Sequence, residues 1–163
     1  MEIVDFVDKN DRVLGQVTRK EIHLKNYIYR GVHIFVLDSK NRVWIEKRGK
    51  NVEIKPGYLS SSAAGHVKSG ESYEHAAKRE VREELGFRNI KLERIAKFNP
   101  SNLTFNGFVV FFIGRTDKKA VKHAKASELL LLTKKQVENR IKKGEFAPLP
   151  KHLYFLCKKL NKF

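Results

Sequence analysis

Three glutamates, Glu80, Glu83 and Glu84, stand at i, i+3 and i+4 in a stretch of this 163-residue chain that reads as helix. On an α-helix that spacing puts all three carboxylates on one narrow arc. Like charges so close destabilise a bare helix, which points to a positive group among them. Clustered hard oxygen donors suit Mg²⁺ or Mn²⁺, which bind through a few carboxylates and take substrate phosphates as further ligands. The other reading is a solvated face in which Arg79 and Arg82 interleave with the glutamates as helix salt bridges, the usual fate of a charge run. What favours a site is the company the glutamates keep. Gly65, Gly70, Glu71 and Gly86 all stand at set intervals from them, in Gly65-His66-Val67-Lys68-Ser69-Gly70-Glu71 and in Arg79-Glu80-Val81-Arg82-Glu83-Glu84-Leu85-Gly86-Phe87.

Local signals say how the helix is held. Ser72 is suited to cap its N-terminus, Glu74 complements the positive end, and Gly86 supplies a left-handed stop after Leu85. About four turns lie between them. Tyr73, Ala77, Val81 and Leu85 recur every four residues and form an apolar seam for packing on a sheet, beside the glutamate arc.

The rest of the chain reads as strands with a few helices. Residues 2–8 and 12–18 are predicted as short strands around the turn Asp8-Lys9-Asn10-Asp11, followed by a helical or irregular link to Tyr29. Strands are expected at 32–37, 42–47, 90–98 and 129–132, and the unbroken apolar run 108–113 reads as a central strand buried on both faces. Residues 48–55 form a polar loop, 99–102 a turn, and a lysine-rich connector follows 113. Amphipathic helices are expected at 134–143 and 149–160. Neither repeats nor a boundary divide the chain, so residues 1–163 are expected to form one α+β domain, a mixed sheet covered on both faces.

Charge is the second unusual feature. Lys and Arg number 34 against 18 Asp and Glu, a net +16, and residues 116–163 alone hold 13 basic and 4 acidic residues. A basic exterior concentrates phosphorylated ligands and supports weak nucleic-acid binding; solubility alone explains the same excess, and both readings stand. No folded nucleic-acid motif is recognisable. No apolar run approaches a membrane span, and the first residues lack the basic-then-apolar pattern of a secretion signal. The single cysteine, Cys157, forms no intramolecular disulfide and is expected to pack beside Leu153 and Phe155; this fits a reducing, cytoplasmic setting. Whether the chain pairs as a homodimer is not legible.

Residues 65–87, with Lys55-Pro56-Gly57-Tyr58 before them, resemble the Nudix box of the Nudix hydrolases. The resemblance implies an α/β/α sandwich around a mixed β-sheet and hydrolysis of a diphosphate linkage with Mg²⁺ or Mn²⁺. It assigns the metal to Glu80, Glu83, Glu84 and the Gly65 carbonyl, with Glu80 as ligand or base, and gives Glu71 and Arg79 an orienting ion pair. Glu128, before the last strand, is a further ligand or base, or else a cap. Arg48 and Lys55 are candidates for substrate phosphates, and Tyr58 and Phe105 for stacking on a base, with core packing as the alternative for both aromatics. The substrate is expected to be a phosphorylated small molecule.

Residues 4–35, from Val4-Asp5-Phe6-Val7-Asp8 to Arg30-Gly31-Val32-His33-Ile34-Phe35, resemble the branch related to isopentenyl-diphosphate isomerase. Those isomerases carry a catalytic cysteine where Ala64 stands here, and a downstream glutamate pair, whereas residues 95–116 hold no acid. Moving a double bond needs an acid and a base, so isomerisation is rejected. His23 and His66 align with metal-binding histidines of the isomerases; a hydrogen-bonding or surface role is expected for both, and a core role for His33. Three functions stay open: a nucleotide pyrophosphohydrolase, a hydrolase of RNA 5′ ends, and a non-catalytic binding module.

Overall fold

The strand β7 (Gly107–Arg115) is buried along all but its last residue, because each face of it meets a different core. The computed structural model describes residues 2–52, 54–121 and 126–163, except for the side chain of Ser127. Residues 122–125 of the expected lysine-rich connector lie outside them.

The chain starts with a two-stranded antiparallel sheet, β1 (Ile3–Val7) and β2 (Val13–Thr18), and a short helix α1 (Arg19–Leu24). Thr18 and Glu21 form a reciprocal capping box at its start. β3 (Tyr29–Leu37) then runs parallel to β7 in unbroken register, from Tyr29 opposite Gly107 to Leu37 opposite Arg115. A parallel pair needs a long crossover, and here it holds β4 (Val43–Arg48), β5 (Ala63–His66), α2 (Tyr73–Leu85) and β6 (Leu92–Phe98). β8 (Ala126–Leu132), α3 (Lys134–Lys142) and α4 (Pro148–Lys159) complete the chain. The large sheet runs β6-β7-β3-β4-β8, with β5 paired on β3.

α2 covers one face, and Ala76, Ala77, Val81 and Leu85 pack there with Val32, Ile34, Val110 and Phe112. α3 and α4 cover the other, where Phe35, Phe111, Leu153, Tyr154 and Cys157 share a core. Cys157 packs with Leu153 as expected, but Phe155 turns outward and is 46% exposed. Three strands run longer than their apolar pattern predicts. β3 begins at Tyr29 because that buried ring donates its hydroxyl to the Thr104 carbonyl (2.9 Å), and β8 begins at Ala126 because the ladder with β4 reaches Arg48. β7 takes in Gly107, which faces Tyr29 in the ladder.

β3 and β4 pair only at Leu37 and Val43. Below that point they part, and Ser62 fills the fork, accepting from the Val36 amide (2.8 Å) and donating to the Trp44 carbonyl (2.5 Å). β5 fits beside β3 in the opened space, at the N-terminal end of the box. Among the described residues no helix is long and apolar enough to cross a membrane.

Candidate active site

The site is built where β5 meets α2. Ser72 caps α2 by accepting from the His75 amide (3.2 Å), and Gly86 ends it with φ 75°, so both helix ends fall where the sequence puts them. β5 lies against this helix, and at Gly65 the approach is so close that a Cβ would stand 1.9 Å from Oε1 of Glu80. Only glycine fits there.

Arg79 organises the carboxylates. Its Nε and Nη2 donate to the two oxygens of Glu71, each at 3.0 Å, which is the expected ion pair in bidentate form. Its Nη1 donates to Glu80 Oε1 (2.6 Å) and to Glu83 Oε2 (3.3 Å), and its Nη2 also reaches the His66 carbonyl (2.9 Å). Glu84 is engaged separately, accepting from the Ala64 amide (3.0 Å). Loop, strand and helix are thus clamped together by one guanidinium.

Burial sets the proton affinities. Glu80 is 7% exposed, and loss of water pushes its carboxyl up to about 7 even though Arg79 pulls it down. Burial also opposes the ionisation of Glu71, but there Arg79 and the Lys68 amide outweigh it and hold the carboxyl below the usual range. Two carboxylates on one arginine are therefore held in different protonation regimes.

A divalent cation fits this donor set by chemistry: the hard carboxylates of Glu80 and Glu83 meet at Arg79 beside a position that a side chain would fill, and Glu84 is held at the adjacent Ala64 amide. The set is not a ready cage, since no three His, Cys, Asp or Glu side chains among the described residues are grouped as one. Glu80 and Glu83 are held by Arg79, so a cation has to draw them from the guanidinium.

The remaining candidates are placed elsewhere. Glu128 lies opposite Lys47 in the β4–β8 ladder, and the alternation of that strand puts it on the face of Leu130, away from α2. The structure does not bring it to the α2 carboxylates, although the sequence allowed it there. Arg48 spends its Nε on the Ile54 carbonyl (2.7 Å), bracing the loop before Pro56. Lys55 stands over the Tyr58 ring, 5.5 Å from its centroid, and Tyr58 lines a small depression of about 260 Å³ with Lys47 and Arg140. Phe105 is 44% exposed in the loop before β7.

The histidines behave as hydrogen-bonding groups. His33 Nδ1 lies 2.7 Å from Ser61 Oγ, and burial lowers its pKa to about 4. His66 Nε2 lies 3.1 Å from His23 Nε2, and burial lowers the His66 pKa to about 3.

One functional support escaped the sequence. Asp11, at the hairpin tip with φ 62°, accepts from Arg30 Nε (2.5 Å), from the Tyr73 hydroxyl (2.9 Å) and from Lys97, tying the hairpin to the first residue of α2. It reads as an ordinary turn residue, and no local signal marks contacts so distant in the chain.

Known proteins resemble the chain in sequence and in fold. The NUDIX domain family matches residues 28–151. The chain is 34% identical over 125 residues to a protein of Photorhabdus laumondii named isopentenyl-diphosphate Delta-isomerase 2, covering 74% of this chain and 70% of that one. It is also 34% identical over 121 residues to a Nudix hydrolase of Deinococcus radiodurans, covering 71% and 69%. Against several other relatives the match spans little more than half of their length. Among solved structures, the crystal structure of DR0079 from Deinococcus radiodurans superposes with a TM-score of 0.81 at 30% identity, covering 96% of this chain and 99% of that one. The chain belongs to the NUDIX domain family.

Proposed function

We propose that this protein is a divalent-metal-dependent pyrophosphohydrolase that cleaves the phosphoric anhydride bond of a nucleoside di- or triphosphate or a related diphosphate. The observation that carries the reading is that Arg79 gathers Glu80 and Glu83 beside Gly65, while Glu84 of the same helix is held at the neighbouring Ala64 amide. Glu80, Glu83, Glu84 and the Gly65 carbonyl would hold Mg²⁺ or Mn²⁺, which when bound offsets diphosphate charge and eases deprotonation of an attacking water. Glu80 Oε2, the oxygen that Arg79 Nη1 leaves free, would serve as a ligand of the cation or as the base that takes the proton of the attacking water. Arg79 keeps the helix and the Gly65 loop in one register, and Glu71 holds Arg79.

Isomerisation, the activity in the name of one relative, does not carry over. Ala64 stands where the isomerases it resembles carry a catalytic thiol, and the single cysteine, Cys157, is on the buried face of α4, on the opposite side of the sheet.

The test is phosphate release with Mg²⁺ and with Mn²⁺ over nucleoside di- and triphosphates, dinucleotides, isoprenoid diphosphates and 5′-triphosphorylated RNA. Turnover on one class assigns the substrate. Metal binding without turnover on any of them would move the reading to a binding module. A second reading, RNA 5′ ends as substrate, is favoured by the cationic flank of α2.

A further inference from the structure

Around α2, at about 100° per residue, Glu83 is followed by Arg79, then by His75 and Arg82, then by Lys78. The connection from Gly86 to β6 faces this flank and contributes Arg88, Asn89 and Lys91. Between the two walls runs an open groove of about 910 Å³.

Lys78, Arg82, Arg88 and Lys91 are exposed, and none of them is in an ion pair among the described residues. The one acid in the lining, Glu71, is taken by Arg79. Elsewhere the fold neutralises some of its cations: in the basic C-terminal segment, Arg140, Lys158 and Lys162 pair with Glu145, Glu138 and Glu93. Lysines such as Lys135, Lys142, Lys143 and Lys151 are also without an ion pair there among the described residues, so what sets the groove apart is that its four unpaired cations line two facing walls beside α2.

We propose that this groove binds the phosphodiester backbone of a nucleic-acid strand and leads its 5′ end toward the α2 carboxylates. The lining offers donors and positive charge, as a phosphate backbone requires. Its apolar members, Phe87 and Ile90, are buried and half-buried, which leaves His75 as the exposed ring of the lining among four cations, so the phosphates rather than the bases dominate binding. A membrane surface is disfavoured because the groove is recessed and the exposed apolar side chains Val13, Leu14 and Leu24 lie outside it. Arg79 joins the two regions, since it both lines the groove and bonds Glu80 and Glu83. Delivery of the 5′ end rests on the hydrolytic reading above; binding in the groove does not.

The experiment is fluorescence anisotropy on the full chain with labelled 5′-triphosphorylated RNA, the same sequence as single-stranded DNA, and a duplex, with polyglutamate as competitor. Four phosphate contacts predict a slope of log affinity on log salt of about −3 for a single strand. Arg82→Glu with Arg88→Glu should weaken binding at least about tenfold and flatten the slope, while Lys158→Glu with Lys162→Glu should do neither. The Arg82/Arg88 variant should also lower RNA turnover relative to free nucleoside triphosphate by a similar factor. Oligonucleotide binding that ignores the groove reversals, or is displaced by polyglutamate at equal charge concentration, overturns the proposal. Groove-dependent binding without turnover of either substrate leaves the groove standing and sinks the hydrolytic reading instead.

Discussion

A methyl group on Gly65 would stand 1.9 Å from Oε1 of Glu80, so β5 and α2 meet at a contact only a hydrogen can fill. Glu80 cannot retreat cheaply, because it is buried and its Oε1 is held by Arg79 at 2.6 Å. Gly65→Ala is expected to displace the carboxylate, weaken Mn²⁺ binding at least about tenfold and cost about 1–3 kcal/mol of stability through overpacking. Calorimetric metal titration and urea unfolding read the two effects separately.

Arg79 pairs with Glu71, Glu80 and Glu83, and its side chain is only 12% exposed. Removing it in Arg79→Ala leaves two largely buried carboxylates without their partner, a loss of about 3–5 kcal/mol in urea unfolding. Arg79→Lys keeps the charge but not the fork, and should recover only part of that loss.

Acid should unfold the metal-free protein in a pattern set by three buried groups. His33 and His66 have folded pKa values lowered to about 4 and about 3, below the usual value of 6.5. Between those values the unfolded chain binds the extra protons, so their contribution is present above pH 6.5 and is lost as the pH falls. Glu80 works the other way. Its folded value, about 7, lies above the usual 4.5, so its contribution is present at low pH and is lost as the pH rises toward 7. Stability measured by urea unfolding should therefore climb with pH between about 4.5 and 6.5 less steeply than two histidines alone dictate. Glu80→Gln removes the opposing group and should steepen that climb by about 1.4 kcal/mol per pH unit.

Asp11 anchors the hairpin through Arg30, Tyr73 and Lys97. Asp11→Ala should cost about 2 kcal/mol, part of it for the strained φ of 62° and part for the partners left unsatisfied. Asp11→Asn tolerates the backbone and should lose less. Urea midpoints of the two variants check the order.

What could be read in the sequence was what is local in the chain. The N-cap at Ser72, the stop at Gly86 and the seam from Ala77 to Leu85 follow from short-range spacing, the Glu71–Arg79 pair from the resemblance, and each is found in place. β7 was legible because six of its residues are apolar without a break. What was not legible depends on register between distant segments. The α2-averted face of Glu128 follows from its pairing with Lys47, and the engagement of Glu84 from the Ala64 amide twenty residues earlier. The facing of four unpaired cations across the groove beside α2 likewise depends on which segments the fold brings together, and composition counts only the sum.

The most direct test of the account is phosphate release from a nucleoside triphosphate at saturating Mg²⁺ by the wild-type chain, Glu83→Gln and Glu84→Gln, with Mg²⁺ affinity measured in parallel. Turnover in the wild type, lower by about a hundredfold or more in both variants and accompanied by weaker Mg²⁺ binding, is the predicted result. Turnover and Mg²⁺ affinity that survive both substitutions would place the metal and the chemistry away from α2 and contradict the account.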